Sequence, residues 1–63
     1  MNLVKFSAFD LGQAEALTDM AQQTLRQTVA ALPNEFKDEV VAMGRRMIEI
    51  REAIMHEFHR RSF

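Results

Sequence analysis

Apolar residues recur along this chain at the three- and four-residue intervals of a helix rather than in the alternation of a strand. Phe36, Val40, Met43, Met47, Ile50 and Ile54 follow one another at steps of four, three, four, three and four, a heptad seam of nearly three repeats. A second row runs beside it, made of Val41, Gly44, Ile48, Met55 and Phe58 and interrupted by Arg51. Together the two rows cover roughly 160° of the helix, wider than the ~100° stripe that one packing neighbour requires. Upstream, Leu11, Ala14, Thr18, Ala21, Leu25, Thr28 and Leu32 give a matching seam, with small residues that permit close approach. Leu17 and Met20 lie to one side of it and exceed the needs of a single contact.

Punctuation divides the pattern into two elements. Pro33 cannot continue a helix and pushes Leu32 toward extended backbone. Asn34 is placed to cap the second helix, with Glu35, Asp38 and Glu39 at the positive end of that helix. Ser7 with Asp10 fits a capping box, with Asp10 and Gln13 an alternative cap about three residues later, and Phe6 with Leu11 fits a hydrophobic staple. The reading is one domain over 1–63: a strap or frayed end at 1–6, a helix at 7–32, a turn at 33–34 and a helix at 35–60. The predicted fold is all-α, a two-helix antiparallel hairpin that dimerises into a four-helix bundle.

Size sharpens this expectation. A chain of 63 residues buries only about 60% of the surface its unfolded form exposes. One core of this size rarely supplies more than ~3–5 kcal/mol. There is no cysteine, so neither disulfides nor thiolate metal sites are available. Association is the remaining source of stability, and Leu17, Met20, Val41, Gly44, Ile48, Met55 and Phe58 are the expected dimer or partner interface.

Charge and chemistry narrow the function classes. Eight Lys and Arg stand against nine Asp and Glu, a formal charge of −1, whereas proteins living on phosphate contacts usually carry a basic excess. No apolar run approaches the ~20 residues of a membrane span, and the opening stretch is too weakly apolar for a secretory signal, so a cytoplasmic location is expected. His56-Glu57-Phe58-His59 lacks the four-residue His spacing of the zinc-protease helix. Glu49, Glu52, His56 and His59 share a helical face opposite the apolar rows, which reads as a solvated face rather than a metal site. Arg45 with Glu49, Glu52 with His56 and Glu57 with Arg61 have the i,i+4 spacing of weak surface pairs. There is no Tyr or Gly-rich phosphate loop, and Ser7 and Ser62 are the only serines. No enzymatic activity, cofactor, metal or small-molecule substrate is expected.

The chain resembles the small accessory proteins encoded in the early region of lambdoid bacteriophages. Its length and its two end stretches, MNLVKFSAFDLGQAEALTD and IMHEFHRRSF, carry the resemblance. It implies expression in the bacterial host cytoplasm and a modulatory role in phage development or host control. The expected function is therefore that of a non-enzymatic regulatory or adaptor protein: a homodimer with a host or phage protein partner. The alternative is a bundle whose Arg45, Arg46, Arg60 and Arg61 form a polyanion contact with nucleic acid.

Overall fold

The computed structural model describes residues 1–61. Two helices pack against each other: α1 spans Ala8–Thr28 and α2 spans Asn34–Arg60, joined by a single 3₁₀ turn over Val29–Ala31. No strand is present among the described residues. Ser7 starts α1 as expected: its hydroxyl oxygen accepts from the Asp10 backbone N–H at 3.1 Å. Within α1 the hydroxyls of Thr18, Thr24 and Thr28 donate to carbonyls one turn back, at 2.8, 3.1 and 2.9 Å, which satisfies them without a tertiary partner.

The turn differs in detail from the sequence reading. Leu32 is extended (φ −82°, ψ 149°), as a residue before proline should be. The α-helical ladder ends at Thr28, however, and the chain tightens into the 3₁₀ turn, closed by the Leu32 N–H on the Val29 carbonyl at 3.2 Å. Pro33 occupies the cap position of α2, and Asn34 is already the first helical residue, with no side-chain capping bond. Pro33 (φ −57°, ψ 149°) is still outside helical geometry, and the Phe36 N–H donates to its carbonyl at 3.0 Å as α2 begins.

The first six residues form a strap. A turn is closed by the Phe6 N–H on the Leu3 carbonyl at 3.1 Å, and Leu3 is driven down against Leu11 and Ile54. These three are the buried apolar core, with Ala14, Ile50, Ala53 and Phe58 packed partly around them. The core therefore sits at the end of the hairpin away from the turn. It does not extend evenly along the helix seam.

The molecule is a rod of 43 × 17 × 15 Å with a radius of gyration of 13.8 Å, against about 10.6 Å for a compact domain of this length. It exposes 4946 Å², where a compact monomer of this mass would expose about 4,200 Å². Two helices side by side have no third element to cover their flanks, and the surplus surface is the geometric result.

Candidate interaction surface

Burial shows how α2 is turned. Val40, Met47 and Ile54 face α1, accompanied by Gly44 and Phe58, which are half-buried. Spacing alone assigned Gly44 and Phe58 to an outer row and Phe36 and Met43 to the seam. The structure reverses both assignments, leaving Phe36 and Met43 about half exposed. The expected seam of α1 is kept at Leu11, Ala14, Thr18, Ala21 and Leu25, while exposed Thr28 yields its place to half-buried Val29.

This rotation leaves α2 with an apolar heptad row on each side of the hairpin. Phe36, Met43 and half-buried Ile50 form one. Val41, Ile48 and Met55 form the other, each between 40% and 49% exposed. On the Ile50 flank, Ala14 of α1 and the strap residues Met1, Leu3 and Phe6 share one cavity with Ile50. Leu17 lies on this flank too, one turn beyond Ala14, and Met20 points away from α2; both are more than 60% exposed. On the Ile48 flank, Gln22 and Arg26 of α1 line a groove with Val41, Arg45 and Ile48. The seven residues expected to form one interface are thus divided. Leu17 and the Val41–Ile48–Met55 row sit on opposite flanks, while Gly44 and Phe58 turn toward α1. A helical period counts how much of a helix is apolar, but the side each row takes depends on the rotation of both helices.

The charged residues also redistribute. Glu57 is buried at 7% exposure, although the sequence places it in a solvated stretch. Its carboxylate accepts from Arg60 Nε at 3.0 Å and Nη2 at 2.7 Å, and from Arg61 Nε at 2.7 Å. These guanidinium bonds hold its pKa down at about 2, against a smaller opposing effect of desolvation. From the other end of its guanidinium, Arg61 donates to the carbonyls of Leu3, Val4 and Phe6 at 3.1, 3.1 and 2.7 Å. Glu57 and Arg61 thus latch the strap to the end of α2. A signal for this was present: Glu57 continues the Phe36–Met43–Ile50 heptad row, where a carboxylate needs a partner.

Of the four arginines expected on a polyanion-binding face, Arg61 is committed inside the molecule and Arg60 is held on Glu57. Arg46 pairs with Glu49 at 3.0 Å, in place of the anticipated Arg45–Glu49 pair. Arg45 lies on the Ile48 flank. Arg51 bridges the helices toward Glu15 at 3.9 Å and Asp19 at 4.0 Å. Among the described residues no three His, Asp or Glu side chains form a group able to hold a metal ion, and no helix is long and apolar enough to cross a membrane.

No protein-family model matches the chain, and comparison with curated proteins and with solved structures finds no match. The two apolar flanks therefore carry the functional argument.

Proposed function

We propose that this chain is a non-enzymatic interaction protein, a helical hairpin that self-associates through an apolar flank and acts as a regulatory adaptor on a protein partner. One observation carries the reading. Among the described residues, three large apolar side chains are buried and eleven are exposed. Large exposed apolar patches on small domains are characteristic of interaction surfaces. The surface in excess of a compact monomer, about 750 Å² against the expectation for this mass, is close to the ~800 Å² that each member of a standard interface contributes. A four-helix assembly of two hairpins provides that cover with the elements already present.

The test is sedimentation equilibrium of the purified chain over a wide concentration range. The reading expects a mass of twice 7.3 kDa at high concentration, with thermal stability that rises with concentration. A well-folded species of single-chain mass throughout would refute it. The adaptor role is tested by capture from bacterial host lysate, the source suggested by the resemblance to lambdoid phage accessory proteins. A specific captured protein that survives nuclease treatment is expected. Recovery that depends on nucleic acid and falls steeply with salt would instead favour the polyanion-binding alternative.

A further inference from the structure

We infer that the self-association surface is the Ile48 flank, and that two copies meet there with their turns at opposite ends, about a two-fold axis passing by Gln22 and Ile48. The inference rests on the self-association proposed above and specifies its face and register.

The two flanks differ in what already covers them. The strap lies over the end of the Ile50 flank, tied by Arg61. No segment among the described residues lies over the Ile48 flank. There the space between the helices runs from Val29 and Val41 near the turn to Glu52 and Met55, and Gln22 and Ile48 line both of its halves. Its midpoint is therefore the Gln22–Ile48 level.

Gln22 is the second observation. It is only 9% exposed, and its amide makes no hydrogen bond with any group among the described residues. No fully buried side-chain nitrogen or oxygen among the described residues lacks a partner, so the Gln22 amide reaches solvent through the groove. A second copy laid over it must supply a partner for that amide or bear the cost of drying it. It carries both a donor and an acceptor, so two such amides related by a two-fold axis satisfy each other with a reciprocal pair of hydrogen bonds. A single polar residue in an apolar helical interface is the best-attested device for fixing register.

Complementarity decides the orientation. An axis perpendicular to the helices at this level pairs each residue with one equally far on the other side of the midpoint. Ile48 then meets Ile48 of the other copy. Val41, seven residues before Ile48, meets Met55, seven residues after it. Arg45, three before, lies opposite Glu52, four after; on α1, Arg26, four after Gln22, lies opposite Asp19, three before. At 1.5 Å per residue these offsets agree to about one residue rise. Apolar side chains thus meet apolar ones, and Arg45 and Arg26 each lie opposite a carboxylate, while Arg51 keeps its contacts to Glu15 and Asp19 of its own chain, an arrangement suited to an isologous interface. The alternative two-fold axis, along the helices with both turns at one end, stacks α1 on α2 of the other copy. It sets Arg26 against Arg45, a like-charge contact at the interface.

The absence of cysteine makes a direct test available. Single variants Ile48→Cys, Met55→Cys and Leu17→Cys are oxidised under identical mild conditions, with circular dichroism checking that each retains its helices. All three sites are at least 40% exposed, so the substitutions leave the core intact. Ile48→Cys is expected to form a covalent dimer at least about tenfold faster than the others, because disulfides demand Cα atoms within ~7 Å and only the axial site meets its own copy. The double variant Val41→Cys, Met55→Cys should cross-link as fast as Ile48→Cys. Fastest cross-linking through Leu17→Cys would overturn the choice of flank. Fastest cross-linking through Met55→Cys alone would overturn the register. Either result, with a wild-type chain that sediments as a dimer, leaves self-association standing. A wild-type chain that stays single removes that reading and the inference together.

Discussion

The strap is the least expected part of the core, and replacing Leu3 with alanine measures what it contributes. Leu3 is 8% exposed, whereas its neighbour Val4 is 60% exposed, so Val4→Ala is a matched control one residue away. Full burial of a leucine side chain is worth ~1.5–3 kcal/mol, and large-to-alanine core changes cost ~2–5 kcal/mol. A terminal strap can partly close over the vacated space, which favours the low end, about 2 kcal/mol. A core of this size supplies only ~3–5 kcal/mol, so about half of the stability is at stake. For a domain of this length that corresponds to a fall in Tm of roughly 8–16 °C. Thermal and urea unfolding followed by circular dichroism, at one fixed protein concentration, are the assay. Val4→Ala should stay within about 0.5 kcal/mol of wild type. If Leu3→Ala loses no more than Val4→Ala, the strap is not part of the core and the account of the hairpin's closed end fails.

Glu57→Gln tests the latch through pH. The folded pKa of about 2 lies below the ordinary 4.5, so the ionised carboxylate stabilises the fold above the unfolded value, and this is lost as pH falls toward 2. The variant should be less stable than wild type at pH 7, with the difference shrinking between about pH 5 and 2; a urea midpoint difference that is constant over that range would exclude the carboxylate as its cause. Gly12 sits within α1, and a Cβ built there meets no atom within 4 Å. Gly12→Ala should therefore stabilise by about 0.5–1 kcal/mol through helix propensity alone, read as a higher Tm, and a lower Tm would mean that the site needs glycine.

Much of the fold is local, and the local part was legible. Ser7 as a cap, Pro33 as the breaker and three- and four-residue apolar spacing each act within a few residues of themselves, so order in the sequence is enough to read them. The same periodicity established that α2 carries more apolar surface than one neighbour covers, because width around a helix is a property of that helix. The pairing of the rows was not written there. Whether Met43 or Gly44 faces α1 depends on how both helices rotate in contact, and a shift of one position, about 100°, exchanges a seam residue for a flank residue. The fate of residues 1–6 likewise depended on chain ends that meet only after folding, when Arg61 reaches three carbonyls 55 to 58 residues away. Glu57 became a buried ion-pair centre for the same reason: its neighbours in sequence supply the arginines, but only the strap closing above gives that pair something to hold.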